Sequence, residues 1–326
     1  MKTEVMKAVV RKSYGNPEVI SVKKIKRPVA TGDKLLIKIH ATTVNRTDCA
    51  ILRGKPWVMR IFQGIISPKK KITGTDFSGE VVAVGNEVVH FKKGDRVFGF
   101  NDNGLESHAE YLILSESQCL DNIPNMISYQ SAVTALEGPH YAYNFIKKVD
   151  IKKGDKVLVN GASGAIGSSL VQLLNYFEAS VTAVCSTKNV SLMIELGANY
   201  ILDYKNKDFT KSNETYDYVF DAVGKSSFNK CKPILNEKGV YISSELGKNF
   251  QNLFYTFITS ILGGKKVIFP VPSNIKETLV FMKKLIEMDQ FKAIIDRVYT
   301  LDEIDEAYKY VLSGHKTGNV IITFDE

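Results

Sequence analysis

The pattern of apolar and polar residues changes partway along the chain. Short β-rich runs, separated by turn residues such as Gly, Asp and Asn, occupy residues 8–10, 34–40, 80–85 and 96–100. Such runs predict strands, and we expect an antiparallel, barrel-like unit in this part of the chain. From about Ile127 onward, apolar residues recur at helical spacing and then alternate with short apolar runs.

The later part of the chain alternates between predicted strands and predicted helices. Strands are expected at 156–160, 180–185, 200–202, 216–220, 240–243, 267–271 and 319–324, and helices at 131–147, 165–177, 190–196, 275–288 and 301–312. This alternation is typical of a parallel sheet with crossover helices. A chain of 326 residues is long enough for two domains, so we predict an α/β protein with its β-rich domain first.

The composition excludes several classes of protein. Hydrophobic residues make up 44% and charged residues 24%, as in ordinary soluble domains. No apolar run reaches about eighteen residues and the N-terminal stretch has no secretory pattern, so we expect a cytoplasmic protein without membrane partners. The net charge of +8 comes from scattered lysines, without an aromatic–basic motif, so no nucleic-acid partner is expected. Four widely spaced cysteines favour neither disulfides nor structural zinc.

A glycine-rich turn follows the predicted strand at 156–160. It leads straight into a predicted helix and consists of Gly161, Ala162, Ser163, Gly164, Ala165, Ile166 and Gly167. Glycines leave room for a pyrophosphate against bare backbone, and the start of a helix offers unpaired N–H groups and a positive dipole end. Ser163 replaces the middle glycine of the strict pattern, but strand, turn and helix together predict a dinucleotide-binding site.

The end of the next strand bears on which dinucleotide binds. NAD-binding domains ordinarily place an acid there, which accepts a hydrogen bond from the ribose 2′-hydroxyl. This chain has no acid between Glu178 and Glu195 and carries Ser186, Thr187 and Lys188 instead. Hydroxyls and an ammonium suit a 2′-phosphate, so we expect NADPH, with Lys188 and Ser186 contacting the phosphate. The alternative is that Lys188 is only a lysine at a helix start.

Several motifs, taken together, resemble one family. They lie at 45–48 (Asn-Arg-Thr-Asp), 74–85, 93–97, 160–167, 196–198, 220–224 and 314–319. With them the chain resembles the medium-chain dehydrogenase/reductase superfamily over nearly its whole length, and in particular its zinc-free quinone oxidoreductase-like branch. The resemblance implies a GroES-like β-rich domain at 1–126, completed by 273–326, and a Rossmann doubly wound parallel sheet at 127–272. It also implies an active site in a cleft between the domains, and a homodimer paired through the sheet edge at 263–271.

Zinc-dependent members of that superfamily place a cysteine and a histidine where this chain has Asn45 and Thr75. An amide and a hydroxyl are poor zinc ligands beside a thiolate and an imidazole, so no catalytic metal is expected. Without a Lewis acid, reduction of an electron-poor small molecule is easier than oxidation of an alcohol. The resemblance then implies hydride transfer from NADPH to quinones or α,β-unsaturated carbonyls. The alternatives are an enoyl-thioester reductase and an NADPH-binding sensor without turnover.

Four residues are candidates for the chemistry at the nicotinamide. Asn45 would contact cofactor or substrate. An equal alternative is that its amide only stabilises a turn. Asp48 is favoured as a residue that orients neighbouring groups rather than one that transfers a proton. His140 and Tyr141 lie where the family's helix start faces the nicotinamide, and either is able to donate a proton, although a core or helix-cap role is favoured for His140. The aromatic segment 250–262 either covers the substrate or packs against another subunit. The resemblance implies further cofactor contacts from Tyr204, Val223, Gly224, Thr317, Gly318 and Asn319.

Overall fold

The structure is a computed structural model that describes residues 4–324, apart from the side chain of Phe62. The ends of the predicted domains at 1–3 and 325–326 lie outside these described residues. The chain divides into two compact units. The first comprises Met1–Glu137, Ile275–Glu287 and Ala293–Glu326, and the second comprises Gly138–Asn274 and Met288–Lys292.

Strands and helices alternate along much of the described chain. The strands are β1 (Val5–Arg11), β2 (Ile20–Lys26), β3 (Lys34–Val44), β4 (Asp76–Val84), β5 (Arg96–Phe100), β6 (Tyr111–Ser115), β7 (Leu120–Asn122), β8 (Lys156–Asn160), β9 (Ser180–Cys185), β10 (Tyr200–Asp203), β11 (Tyr216–Asp221), β12 (Leu235–Ser243), β13 (Lys266–Ile268), β14 (Ile295–Thr300) and β15 (Asn319–Thr323). The helices are α1 (Arg46–Arg53), α2 (Met59–Gln63), α3 (Tyr129–Val133), α4 (Glu137–Ile146), α5 (Ala165–Tyr176), α6 (Val190–Glu195), α7 (Phe228–Cys231), α8 (Gln251–Leu262), α9 (Ile275–Glu287) and α10 (Ile304–Ser313). None of these helices, all within the described residues, has the length and the apolar character needed to cross a lipid bilayer.

The first unit is built on a seven-stranded sheet in the order β14-β15-β3-β4-β5-β7, with β6 also paired to β3. The central strands pair antiparallel, whereas β14 and β15 run parallel. Leu35, Ile37 and Ile39 alternate along β3 and pack in one core with Phe77 and Val97. Residues at alternate positions of a strand face the same side of its sheet, so these three side chains share one core. The predicted β-rich, antiparallel unit is confirmed.

The region around residue 134 differs from the sequence-based expectation. The predicted single helix at 131–147 is wrong, because α3 ends at Val133 and α4 begins at Glu137. The Thr134 hydroxyl donates to the Ser131 carbonyl at 2.8 Å, which closes the end of α3. Pro139, in the first turn of α4, has no N–H with which to continue an earlier helix. α3 packs on β3 and β4, and so residues 127–137 lie with the first unit although the predicted second domain begins at 127.

The second unit is built on a six-stranded sheet in the order β10-β9-β8-β11-β12-β13, and all of its strand pairs are parallel. Counted from β8, this order is 3-2-1-4-5-6, the order of doubly wound dinucleotide-binding sheets. Val157, Leu158 and Val159 are all fully buried, as expected of a strand covered on both faces. The strand order reverses between β8 and β11, and ligands of such sheets bind outside the carboxyl ends of the strands at that point.

Candidate functional site

The predicted dinucleotide turn joins the end of β8 to the start of α5. Gly161 has a φ of +76°, which favours glycine. A Cβ on Gly167 would lie 2.1 Å from the Gly161 carbonyl oxygen, so the close approach of helix and turn requires glycine there as well. Around Gly164, the nearest atom that an added Cβ would meet is 3.7 Å away. The turn is therefore tightly packed on its inner side and open at Gly164.

The open side of this turn fits the pyrophosphate of a dinucleotide. Gly164 is the N-cap of α5 and supplies no side-chain acceptor for the amides of the first turn. Those amides and the dipole of a twelve-residue helix attract an anion at this end. All seven predicted residues, 161–167, lie in the turn or in the first turn of α5, and their contacts with cofactor stay a prediction.

A buried carboxylate that the sequence analysis did not single out holds the neighbouring loop. Asp221 ends β11, and its Oδ1 accepts from Asn160 Nδ2 at 2.9 Å and from the N–H of Gly224 at 3.0 Å. Its Oδ2 accepts from the N–H of Ser226 at 3.0 Å and from the Tyr241 hydroxyl at 2.9 Å. These bonds fix the loop that contains the predicted residues Val223 and Gly224. An Asn and an Asp at the carboxyl ends of adjacent strands were the available signal in the sequence.

The predicted phosphate-contacting segment at 186–188 lies beside an acid that the sequence analysis missed. Thr187 Oγ1 donates to Asp203 Oδ2 at 2.5 Å, and the N–H of Lys205 donates to Asp203 Oδ1 at 2.9 Å. These two hydrogen bonds lower the pKa of Asp203. This acid lies outside the stretch 178–195 because it ends the next strand, β10, where it is in parallel register with Cys185 of β9. Ser186 is buried, and Lys188 is exposed.

The predicted Tyr204 lies immediately after β10. Its ring is exposed, and its N–H donates to the Cys185 carbonyl at 3.1 Å. The backbone of Tyr204 is thus tied to the end of β9, next to the segment at 186–188. The segment 186–188 and Tyr204 thus lie together at the carboxyl ends of β9 and β10, and their contacts with cofactor stay a prediction.

In the first unit, Asn45 and Asp48 form a reciprocal cap at the start of α1. Asn45 Oδ1 accepts from the N–H of Asp48 at 2.8 Å, and Asp48 Oδ2 accepts from the N–H of Asn45 at 3.1 Å. Asn45 Nδ2 donates to the Thr75 hydroxyl at 2.8 Å. The two positions at which zinc-dependent relatives carry ligands are therefore joined by a hydrogen bond. Within residues 4–324, no group of three or more His, Cys, Asp or Glu side chains is arranged to hold a metal ion.

Two carboxyls are buried at this cap, that of Asp48 itself and that of the neighbouring Asp76. Asp76 accepts from the N–H of Thr43 at 2.7 Å and from the Thr42 hydroxyl at 3.1 Å. Burial raises the pKa of Asp76 to about 7, against the effect of these donors. Burial, and then the charge of Asp76, raise the pKa of Asp48 well above its ordinary value. Asp48 Oδ1 has no protein hydrogen-bond partner and is buried.

A third buried carboxyl, Glu137, was not predicted from the sequence. It begins α4 and accepts a hydrogen bond from the Thr47 hydroxyl at 3.1 Å. Burial raises its pKa, and the positive charges of Lys316 and Arg46 oppose that rise. Glu137 and Lys316 come from distant parts of the chain, and neither belongs to a local motif that would have indicated them.

His140 and Tyr141 lie next to each other in α4, and their rings form an edge-to-face pair with centroids 5.9 Å apart. Burial lowers the pKa of His140 to about 4. An imidazole with that pKa is uncharged at neutral pH. The role of His140 as a proton donor stays a prediction. Tyr141 is half-buried.

The predicted segment 317–319 lies just before and at the start of β15. Gly318 has a φ of +66°, and an added Cβ would meet the Ile294 carbonyl oxygen at 2.4 Å. Asn319 is buried and donates through both its N–H and its Nδ2 to the same carbonyl, at 2.9 and 3.1 Å. The N–H of Thr317 donates to Asp296 at 2.7 Å. These contacts tie the segment 317–319 to Ile294 and Asp296, at the start of β14.

Two family models match the chain. The model described as "Alcohol dehydrogenase GroES-like domain" matches residues 31–125, and the one described as "Zinc-binding dehydrogenase" matches residues 196–322. Among curated proteins, the chain is 29% identical to a chloroplast envelope quinone oxidoreductase homolog of Arabidopsis thaliana, covering 99% of each protein. It is 28% identical to a chloroplastic NADPH-dependent alkenal/one oxidoreductase of the same plant, covering 97% of this chain and 79% of the relative.

Solved structures show the same fold. The quinone oxidoreductase of Coxiella burnetii superposes with a TM-score of 0.84 at 23% identity, covering 98% of this chain and 99% of that one. Together with the antiparallel first sheet and the parallel second sheet, the matches confirm the predicted GroES-like domain and the Rossmann-like domain. The chain belongs to the medium-chain dehydrogenase/reductase superfamily of oxidoreductases, in its quinone oxidoreductase-like branch.

Proposed function

We propose that this chain reduces quinones or α,β-unsaturated carbonyls with NADPH as the hydride donor and without a catalytic metal. The observation that carries the proposal is the turn at 161–167, where glycine is required on the packed side and bare backbone faces outward at Gly164. Members of the superfamily bind a nicotinamide cofactor, and the backbone amides at the start of α5 would hold its pyrophosphate.

The residues of this chain bind and orient the reactants. When bound, the nicotinamide supplies the hydride. The Asp221 carboxylate holds the loop at 222–226 in one conformation through bonds to backbone N–H groups, including those of Gly224 and Ser226. Asn45 and Thr75, joined by their own hydrogen bond, present an amide and a hydroxyl where a metal-dependent site needs strong ligands. Electron-poor acceptors need only orientation and hydrogen bonds, and we expect the Asn45 amide to contribute to both.

The substrate class is proposed on the chemistry of the residues and on the relatives. The names of two relatives specify a quinone oxidoreductase homolog and an alkenal/one oxidoreductase. Both kinds of acceptor take hydride at carbon and place the resulting negative charge on oxygen. We therefore expect a conjugated ketone or a quinone, rather than a simple alcohol, to be the small-molecule substrate of this chain.

The test measures kcat/KM with purified protein, NADPH and a panel of quinones, enones, enoyl thioesters and aldehydes. We expect consumption of NADPH with quinones or enones, unchanged after dialysis against a chelator. Activity confined to an enoyl thioester would favour the alternative enoyl-thioester reductase. NADPH binding without turnover on any acceptor would favour a sensor, and a loss of activity on chelation would contradict the metal-free mechanism.

The preference for NADPH is proposed from the segment at 186–188. Lys188 is exposed, so its ammonium is free to move toward a 2′-phosphate, and Thr187 is anchored by Asp203. We expect Lys188→Met to lower kcat/KM for NADPH roughly tenfold and to leave that for NADH nearly unchanged. Lys207→Met is the matched control, because Lys207 is exposed on the loop after β10 and the substitution also removes one positive charge. A wild-type preference for NADH would refute the proposal.

We also propose that two copies of this chain form a homodimer through the edge of the parallel sheet. β13 is the last strand in the order of that sheet. Beside it, α8 exposes Phe254, Phe257 and Ile261, by 61%, 68% and 68%, on one side of the helix. Exposed apolar patches of this kind mark interfaces. Sedimentation equilibrium should give twice the chain mass, and Phe257→Glu should shift it toward the monomer; a monomeric wild type would contradict the proposal.

The compartment is proposed from the cysteines. All four are free in the structure, and Cys49, Cys185 and Cys231 are buried. Free thiols are typical of reducing compartments, so we propose the cytoplasm. Cell fractionation with an antibody to the chain should recover it with cytoplasmic markers; recovery with an organelle would contradict this.

A further inference from the structure

Glu137 is a buried carboxyl at the start of a helix. Its exposure is 5%, whereas an acid in the first turn of a helix is ordinarily stabilised by the helix dipole while remaining in water. Thr47 holds it through two donors, the hydroxyl at 3.1 Å and the backbone N–H. Thr47 lies two residues after the predicted site residue Asn45, and both belong to the first unit. The carboxyl therefore accepts a hydrogen bond from a hydroxyl that lies two residues from a predicted site residue.

The charges around Glu137 come from three separate parts of the first unit. The groups that face it are Arg46 and Lys316, both positive, and Asp48 and Asp76, both carboxyls. The Lys316 ammonium donates to the Gly318 carbonyl at 2.5 Å and is also faced by Cys49 and Asp296. Burial raises the pKa of Glu137 and lowers the pKa of Lys316. Burial thus favours the uncharged form of each, and their mutual attraction favours the charged forms.

This balance between burial and charge attraction suits a group that binds and releases a proton during turnover. A carboxyl that is buried beside an ammonium moves between its acid and carboxylate forms at a smaller cost than an isolated buried acid, because the lysine charge stabilises the carboxylate. The two neighbouring acids are less suited to the same task. Asp76 accepts hydrogen bonds from the backbone of Thr43 and from nearby hydroxyls, and Asp48 caps α1. Glu137 instead has the Thr47 hydroxyl as its contact toward the site.

We propose that Glu137 is the proton reservoir of the reduction and that it acts through the Thr47 hydroxyl. The inference rests on the proposed reduction of quinones or enones. When hydride adds to the acceptor, an electron pair collects on its oxygen, and the resulting anion needs one proton. The Thr47 hydroxyl breaks its O–H bond to give that proton and takes another from the Glu137 carboxylic acid. Glu137 is left as a carboxylate, which the charge of Lys316 stabilises, and water restores its proton before the next turnover.

In this scheme Thr47 contacts the reduced acceptor. Glu137 supplies the proton to Thr47, and Lys316 acts as a positioning residue whose charge stabilises the Glu137 carboxylate. We expect Glu137→Gln to lower kcat roughly 10²-fold, to leave KM for NADPH within about twofold, and to abolish the limb of the pH profile that reports the acid. The solvent deuterium isotope effect on kcat should rise. Thr47→Val should behave like Glu137→Gln, and Thr47→Ser, which keeps the hydroxyl, should retain most of the activity.

A second measurement does not depend on turnover. Infrared difference spectra of the free protein across a pH titration should show a carboxylic acid C=O band that disappears in Glu137→Gln and shifts in Thr47→Val. Lys316→Met removes the neighbouring charge and should move the titration of that band to higher pH. Glu287→Gln is the matched control, since Glu287 is exposed at the end of α9. It should change neither the band nor kcat.

The outcomes separate this proposal from the proposed function. An active wild type whose Glu137→Gln variant keeps its kcat and pH profile would overturn the proton reservoir and leave the reductase standing. The absence of a Glu137-dependent band would do the same. A wild type that reduces no quinone or enone would remove the proposed function, and the reservoir with it. If Thr47→Ser is as slow as Thr47→Val, the hydroxyl is not the conduit and the proposal is wrong.

Discussion

The two units place functional groups in opposite ways. The parallel-sheet unit presents backbone: a turn at 161–167 whose inner side has no room for a side chain, and a carboxylate, Asp221, that serves to hold the adjacent loop. The GroES-like unit presents ionisable side chains in its interior, among them Asp48, Asp76 and Glu137. One unit is suited to holding a ligand by shape and dipole, and the other to storing charge and protons.

This difference has a physical origin in how far apart the contributing residues are. A strand, a tight turn and the first turn of a helix are contiguous, so their geometry is specified by a few neighbouring residues. A cluster of buried ionisable groups needs several elements to supply counter-charges and donors, because an isolated buried charge is too costly. Its members consequently come from distant segments, here α1, β4, α4 and the loop before β15.

The largest effect is expected where the backbone approach is closest. Gly167→Ala would put a Cβ 2.1 Å from the Gly161 carbonyl oxygen, so the turn has to move. We expect a loss of about 3 kcal/mol or more in the free energy of unfolding, together with lost cofactor binding. Gly164→Ala is the matched control, because its Cβ meets only one atom, at 3.7 Å. It should keep its stability in urea unfolding and weaken binding alone; equal stability of both variants would contradict the packing argument.

The same distinction decides what the sequence could reveal. The turn at 161–167, the parallel sheet and most of its strands were predictable, since each rests on adjacent residues. Glu137 was not, because a lone glutamate before Gly138 and Pro139 resembles any exposed helix start until Thr47 and Lys316 are brought to it. Asp203 was missed for a related reason: it is distant from Thr187 along the chain, but the parallel register places the end of β10 beside the end of β9.

The next largest effect tests whether Asp221 holds its loop as an acceptor. Asp221→Asn replaces one acceptor oxygen by a donor that faces N–H groups of 223–226 or the Tyr241 hydroxyl. We expect a loss of about 2 to 3 kcal/mol in the free energy of unfolding, from buried donors left without partners. Asp217→Asn, at the other end of the same strand, should lose much less, because the donors of Lys156 and Asn236 that bond Asp217 are exposed or half-buried and water replaces a lost bond. Chemical unfolding of both variants at pH 7 measures the two losses. Similar losses would contradict the role of Asp221 as the acceptor that holds its loop.

A smaller effect should appear in the pH dependence of the first unit's stability. His108 is fully buried, and burial lowers its pKa to about 4 from an ordinary value of 6.5. As the pH falls from about 6.5 toward 4, this histidine takes up a proton in the unfolded chain but stays neutral in the folded protein. The free energy of unfolding therefore decreases over this range, so the stability that is present above it is lost through it. Between pH 7 and pH 5 the loss should be about 2 kcal/mol.

The His108 effect is isolated by a variant, because other groups titrate in the same range. Asp76, with its raised pKa, contributes in the opposite direction, and His140 in the same direction. His108→Gln keeps a donor for the Thr43 carbonyl and an acceptor for the Thr73 hydroxyl. Its unfolding free energy should fall less than that of the wild type between pH 7 and pH 5. His90→Gln, at an exposed position, should follow the wild type, and a slope unchanged in His108→Gln would refute the assignment.

The smallest effect concerns cofactor choice at the edge of the parallel sheet, where the second unit does use a side-chain charge. Asp203→Asn removes the negative charge beside 186–188, and its amide oxygen is still able to accept from Thr187. We expect the ratio of NADPH to NADH affinity to rise by about threefold at low salt, because an exposed charge acts weakly on a 2′-phosphate. Asp208→Asn removes an equal charge that bonds Thr210 instead, and it should change the ratio less.

Titration calorimetry at low and high ionic strength separates the two causes of a change in this ratio. A purely electrostatic effect disappears at high salt, whereas a change in the position of Thr187 persists. A fall in the ratio would show that anchoring Thr187 matters more than the charge, so that even here geometry outweighs electrostatics in the second unit.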